Sequence, residues 1–175
     1  MNKGVFLDRD GVLNKAIVRN GKPFPPANDK EFEVLEGVEE ALTLLRNSNF
    51  KIIVVTNQPD LSRGKITLEQ VNHFHSILQE KLNIHDFYIC PHDDFHECLC
   101  RKPKPGLITK SALENKVDLS NSYLVGDRWR DIEAGQSAGC KCFYISSGYK
   151  ERLPLEPYLE VQSLLEASKI ILEME

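Results

Sequence analysis

The chain has 175 residues, 41% of them apolar and 27% charged, and its 22 Lys and Arg against 26 Asp and Glu give a formal net charge of −4. That length supports one ordinary hydrophobic core, and the composition excludes a disordered, collagenous or coiled-coil chain. A basic surplus for neutralising phosphates is missing, and so is an apolar run of about 18 residues that could cross a bilayer, so neither nucleic acid nor a membrane is an expected partner.

Taken in chain order, short apolar runs alternate with amphipathic ones. Gly4-Val5-Phe6-Leu7 reads as a strand, and residues 20–29, with Pro23, Pro25 and Pro26, read as a loop. Val38, Ala41, Leu42 and Leu45 share a helical face, and residues 51–56 form a second strand around Ile52-Ile53-Val54-Val55. Thr67-x-x-Gln70 is a capping box opening a helix whose apolar face is Leu68, Val71, Phe74, Leu78 and Leu82. Residues 87–89 are a third strand, and the following stretch to Gly106 has no periodicity at all. A helix over 107–113, a strand over 123–125, a helix from about Arg130 until Gly139 stops it, and a strand over 142–145 follow. Ser163-x-x-Glu166 opens a last helix through Ile171. Continuous β-branched and aromatic runs suit strands buried on both faces. The alternation therefore predicts a doubly wound, Rossmann-like α/β domain spanning 1–175, with a parallel sheet and helices on both faces.

Ligands of such sheets bind at the carboxyl ends of the strands. The first strand is followed by Asp8-Arg9-Asp10-Gly11, the second ends in Thr56-Asn57-Gln58, and the fourth runs into Gly126-Asp127-Arg128 with Asp131 four residues on. A strand has to end in something, and an Asp-x-Asp can be a simple turn, but three such sets at one edge point to a site. Asp8, Asp10 and Asp127 offer the oxygens that suit Mg²⁺ shared with a phosphate. Asp131 either joins them or is a first-turn carboxylate favoured by the helix dipole. Five cysteines, an odd number, and no signal-peptide core at the N-terminus fit a reduced, cytoplasmic protein better than a disulfide scaffold. Cys90, Cys98 and Cys100 cluster in the long unpatterned stretch, whereas Cys140 and Cys142 straddle a strand start and read as buried thiols.

Asp8-Arg9-Asp10-Gly11-Val12-Leu13-Asn14, Val55-Thr56-Asn57-Gln58, Arg101-Lys102-Pro103 and Gly126-Asp127-x-x-x-Asp131 resemble, in order, the four motifs of the haloacid dehalogenase superfamily of phosphatases. The Cys-x-His…Cys-x-Cys insert is similar to the branch containing the heptose 1,7-bisphosphate 7-phosphatases and the histidinol-phosphatases. The resemblance implies a phosphomonoester hydrolase acting on a small phosphorylated metabolite, most simply the heptose bisphosphate, with histidinol phosphate or another sugar phosphate as the alternative, and a monomer. It implies Asp8 as nucleophile and Asp10 as the acid that protonates the leaving oxygen and then activates water. Mg²⁺ would lie among the Asp8 carboxylate, the Asp10 backbone carbonyl and Asp127, with Thr56 and Lys102 on the phosphoryl oxygens. Arg63 and Arg101 would contact the substrate, and Asn57 would orient groups around the nucleophile. Cys90, His92, Cys98 and Cys100 form a Cys₃His set for structural Zn²⁺ over residues 90–106, with His96 a rival ligand. The last ligand precedes Arg101 and Lys102, so a metal clamp would place two cations over the phosphate.

Two non-enzymatic readings compete. A phosphoacceptor receiver module would carry its acceptor after the third strand, where Cys90-Pro91-His92 offers none. A zinc-bearing interaction protein would have no need of the full set of catalytic residue types. No segment is long enough for the separate cap domain that selects substrates in many of these phosphatases. Gln58-Pro59-Asp60-Leu61-Ser62-Arg63-Gly64 stands where heptose bisphosphatases carry Gln-Ser-Gly-Ile-Ala-Arg-Gly, so Arg63 and Gly64 fit and Pro59 and Asp60 depart. Of the histidines, His73 and His75 lie within a long helix, where a surface position explains at least one.

Overall fold

The computed structural model describes residues 1–175. Five strands meet the expectation: β1 (Gly4–Leu7), β4 (Lys51–Asn57), β5 (Asp86–Cys90), β6 (Tyr123–Gly126) and β7 (Lys141–Ile145). With β8 (Leu159–Val161) they form a six-stranded sheet in the order β5-β4-β1-β6-β7-β8. All its pairings are parallel. The helices are α1 (Val38–Asn47), α2 (Leu68–Leu82), α3 (Gly106–Asn115), α4 (Trp129–Ala138) and α5 (Leu164–Glu173).

Successive side chains of a strand face opposite sides, and the core divides accordingly. Val5, Leu7, Ile52 and Val54 pack with Val38, Ala41, Leu42 and Leu45 of α1, Ala167 and Ile171 of α5, and Leu78 of α2. Phe6, Ile53, Val55 and Leu124 pack on the other face with Leu107, Ile108 and Ala112 of α3 and Ile132 and Ala134 of α4. The capping box of α2 forms, with Thr67 accepting from the Gln70 amide and Gln70 from that of Thr67. Gly139, at φ 91°, ends α4 in the left-handed conformation that costs glycine least.

Residues 20–29 depart from the expected loop. Ile17–Arg19 (β2) and Lys22–Phe24 (β3) form an antiparallel hairpin, turning on Asn20 and Gly21 with φ of 53° and 79°. An Asn-Gly pair accepts these angles readily. Pro23 is tolerated because a two-stranded ribbon is all edge. The edge strand β8 also escapes the pattern, being three residues long and mostly exposed. Within the unpatterned stretch only Asp94–His96 forms a 3₁₀ turn.

The register sets the site. Leu7 pairs with Val54 on one side and Val125 on the other. Asp8 therefore emerges where the chain has wound outward through β4 and β5 on one side and then crossed to β6 on the other. That is the topological switch point of a doubly wound sheet.

Leu45 is fully buried where α1 meets the sheet. Leu45→Ala should cost about 2–5 kcal/mol by leaving a cavity, read as a lower urea midpoint with an unchanged slope.

Candidate active site

Lys102 is buried, and the three hydrogens of its ammonium reach Asp8 Oδ1 at 2.9 Å, the Val55 carbonyl at 2.8 Å and Asp131 Oδ1 at 2.6 Å. Burial opposes its charge, but Asp131 and Asp8 outweigh that and hold its pKa above the ordinary lysine value. Asn57 grips the backbone of the same lysine, accepting from its N–H at 3.2 Å and donating to its carbonyl at 3.1 Å.

Asp131 is the first-turn carboxylate of α4 and also a partner of Lys102. Oδ2 accepts from the Arg128 N–H at 3.0 Å and caps α4, while Oδ1 pairs with Lys102. Asp127 is completely buried; its Oδ2 accepts from the Tyr149 hydroxyl at 2.6 Å, and its Oδ1 has no partner. One carboxylate oxygen from each of Asp8, Asp127 and Asp131 lies within 4.8 Å of the others. Burial and the repulsion of Asp131 push Asp8 up to about 6 despite Lys102, and burial with Asp8 and Asp131 pushes Asp127 well above the carboxylate range. An orphaned buried oxygen among crowded carboxylates fits a hard divalent cation.

Glycines leave room for this cluster. A Cβ on Gly11, at φ +92°, would lie 1.8 Å from Asp127 Oδ2. One on Gly126 would lie 2.2 Å from the Asp131 Cβ.

Asp10 sits in a cage. Its carboxylate accepts from Arg9 Nε at 3.1 Å and Nη2 at 3.0 Å, from Asn14 Nδ2 at 2.9 Å and from Gln58 Nε2 at 2.9 Å. Gln58 also donates to Thr56 Oγ1 at 2.9 Å. With that oxygen accepting, the single hydroxyl hydrogen of Thr56 remains for a ligand.

The cysteine loop begins where β5 ends, with Cys90 paired to Asn57 of β4. The Sγ atoms of Cys90, Cys98 and Cys100 are 3.3 to 3.8 Å apart, and His92 Nδ1 is 3.7 Å from Cys90 and 3.3 Å from Cys100. A tetrahedron of Zn–S bonds of about 2.3 Å has edges of roughly 3.8 Å, so these four residues can hold zinc. His96 lies apart from that set, its Nδ1 accepting from the Asp93 N–H at 3.0 Å.

A cleft of about 410 Å³ opens over Asp8. Its walls are Lys22, Pro23, Phe24 and Pro25 of the hairpin, Pro59, Asp60 and Arg63 after β4, Asp94 and Arg101 of the cysteine loop, and Arg128 and Arg130 around the start of α4. Arg63 donates to Asp60 at 3.1 Å and to Asp93 at 2.5 Å. Asp94 accepts from Arg101 at 2.8 Å and from Arg130 at 3.0 Å. Asp60, the departure from the heptose-phosphatase pattern, is thus a partner of the neighbouring cation.

Residues 99–167 match the HAD-hydrolase-like family model. The D-glycero-beta-D-manno-heptose-1,7-bisphosphate 7-phosphatase of Helicobacter pylori is 35% identical, over 80% of this chain and 81% of its own. The corresponding alpha-heptose enzyme of Photorhabdus laumondii is 33% identical, over 97% and 96%. The chain belongs to the heptose-bisphosphate 7-phosphatase family. It is a haloacid dehalogenase-like phosphatase, as its four motifs imply. A solved D,D-heptose 1,7-bisphosphate phosphatase of B. bronchiseptica, complexed with magnesium and phosphate, is 28% identical and superposes with a TM-score of 0.86 over 99% of both chains.

Every site residue expected from the sequence lies in the cleft, its floor or the cysteine cluster. Sequence reasoning missed Lys22, Arg130 and Tyr149, and quoted Gln58 and Arg128 at strand ends without giving either a role. Arg130 adjoins the fourth motif and could have been found there; Tyr149, beyond β7, has no motif to mark it.

Gly11→Ala should force Asp127 away from Tyr149 and lower kcat by about a hundredfold or more, the scale of a 1 Å misplacement. The check is turnover of an aryl phosphate by a variant whose circular dichroism matches the parent.

Proposed function

We propose that this chain, one domain over 1–175, is a monomeric cytoplasmic phosphatase that removes the 7-phosphate from D-glycero-D-manno-heptose 1,7-bisphosphate with Mg²⁺ and carries a structural Zn²⁺. The observation that carries this reading is the cleft itself. Four arginines suited to oxyanions stand in its walls among acidic side chains that hold them, and they can contact a phosphorylated substrate at more than one point.

The Asp8 carboxylate attacks phosphorus, and the bond to the sugar O7 breaks as that oxygen takes a proton from Asp10. Asp10, now ionised, removes a proton from water, whose oxygen displaces Asp8 and releases phosphate. Asp8, Asp127 and the Asp10 backbone carbonyl would hold Mg²⁺, which when bound neutralises phosphoryl oxygens. The Thr56 hydroxyl donates to the same oxygens. Lys102 contributes a fixed positive charge beside them, its hydrogens being shared among Asp8, Asp131 and Val55. Arg63 and Arg101 face the remainder of the substrate, and Asn57 fixes Lys102. Zn²⁺ on Cys90, His92, Cys98 and Cys100 would order the loop whose Asp93 and Asp94 hold Arg63, Arg101 and Arg130.

Purified protein with Mg²⁺ should release one phosphate from the heptose bisphosphate, leave the 1-phosphate product intact, and work poorly on histidinol phosphate. A preference for histidinol phosphate would overturn the substrate assignment. Asp8→Asn should form no phosphoenzyme, while Asp10→Asn should bind Mg²⁺ and slow turnover by about 10²–10⁴-fold. Cys98→Ser should release zinc, speed amide exchange in 90–106 without melting the core, and lower activity by about a hundredfold through the displaced cations. Full activity in a zinc-free variant would rule out the clamp.

A further inference from the structure

Arg9 lies inside the protein, completely buried although it sits between two carboxylates of the site. Its Nε and Nη2 are spent on Asp10. The outer nitrogen Nη1 lies 3.3 Å from His75 Nε2 on α2. A guanidinium can only donate, so His75 accepts there and is the neutral tautomer protonated at Nδ1. The surroundings agree. Burial and the adjacent Arg9 charge hold His75 down to about 3. Its ring stacks on Phe87 with centroids 4.4 Å apart and planes 14° apart. The Arg9 guanidinium lies 5.9 Å from the centre of the Phe74 ring, which stacks in turn on Phe32 at 4.7 Å.

We infer that His75 is a positioning residue for catalysis: by accepting from Arg9 Nη1 it fixes the rotation of the buried guanidinium, and the guanidinium fixes the Asp10 carboxylate facing the cleft. A guanidinium in an aromatic box has few polar partners. Without His75, Nη1 is left buried and unpaired, a costly state. Turning to relieve it breaks the paired donation to Asp10. No metal or substrate contact is involved. The inference rests on Asp10 acting as the acid of the proposed reaction, and the test separates the two.

An acid matters in proportion to the basicity of its leaving group. The sugar leaves as an alkoxide and must be protonated, whereas p-nitrophenolate leaves as a stable anion. For both substrates kcat/KM reports the first phosphoryl transfer. The measurement is the ratio of kcat/KM for heptose bisphosphate to that for p-nitrophenyl phosphate in three variants. In Asp10→Asn the ratio should fall by about a hundredfold or more. His75→Asn places its carbonyl short of Arg9, and the ratio should fall by about tenfold or more. His75→Gln carries the same amide one methylene further, to the position of Nε2, and should restore most of the ratio. A purely structural role would lower both substrates together and leave the ratio fixed, in which case the inference fails. If Asn and Gln behave alike, it fails as well. An Asp10→Asn ratio equal to the parent's would instead overturn the acid assignment itself. Should His75→Asn not fold, His75→Leu, which keeps much of the bulk and removes the acceptor, takes its place: a parental ratio would refute the inference and a fall in it would support it.

Discussion

A buried ammonium must find an acceptor for each of its three hydrogens, because water will not supply them. Lys102 meets that demand from three separate segments: Asp8 at the end of β1, the Val55 carbonyl in β4, and Asp131 in the first turn of α4. The lysine itself closes the cysteine loop. One cation therefore ties the ends of β1 and β4, the helix after β6 and the long insert to one point. This explains why an insert without secondary structure can be fixed on a site. Asn57 holds its backbone, and the four-residue cysteine and histidine cluster holds the chain immediately before it.

The same cluster is short of positive charge. Three buried carboxylates against one lysine leave a formal −2, in surroundings where charge is poorly screened. Protonation is one relief, and the upward displacement of Asp8 and Asp127 is its signature. A divalent cation would be the other, since its charge would favour the ionised carboxylates. Tyr149 occupies one oxygen of Asp127 and leaves the second without a partner. Gly11 follows from this packing, since any side chain there would enter the Asp127 carboxylate.

What the sequence shows of this protein follows the burial of its parts. Strands covered on both faces read as unbroken apolar runs, so β1, β4, β6 and β7 were legible, while β5, half-buried at the sheet edge, was legible from its Phe87-Tyr88-Ile89 run. The strands of the β2–β3 hairpin and β8 are short and mostly exposed, so they carry little apolar pattern, and the one signal of the hairpin was its Asn20-Gly21 turn. The four motifs placed Asp8, Asp10, Thr56, Lys102 and Asp127, but spacing could not divide Asp131 between cap and site, because one carboxylate can do both with its two oxygens. The choice between His92 and His96 was equally closed to spacing; in the structure His92 lies with the three sulfurs, while His96 Nδ1 accepts from the Asp93 N–H. His73 and His75 differ by two positions on one helix. The first is exposed and paired with Asp29, and the second is buried against Arg9. Helical phase predicts that one faces inward, but an inward histidine is intelligible only once the buried arginine beneath it is known.

The cleft is walled by the hairpin, the segment after β4, the cysteine loop and the start of α4. Its six basic residues are matched by six acidic ones, Asp8, Asp10, Asp60, Asp94, Asp131 and Glu151, so its attraction for an anionic substrate does not come from a net surplus. The arginines are instead held in place by carboxylates: Arg63 by Asp60 and Asp93, Arg101 and Arg130 by Asp94, Arg128 by Glu151. Each such pair is partly exposed and contributes little to folding, but it removes rotamer freedom that a phosphate would otherwise have to freeze on binding. The cost of order is met before the substrate arrives. A group that pairs with these arginines meets Asp60 and Asp94 beside them. Sugar hydroxyls can donate to those carboxylates while the phosphate accepts from the arginines beside them. A cleft lined with paired charges is therefore suited to a molecule that carries both kinds of group side by side.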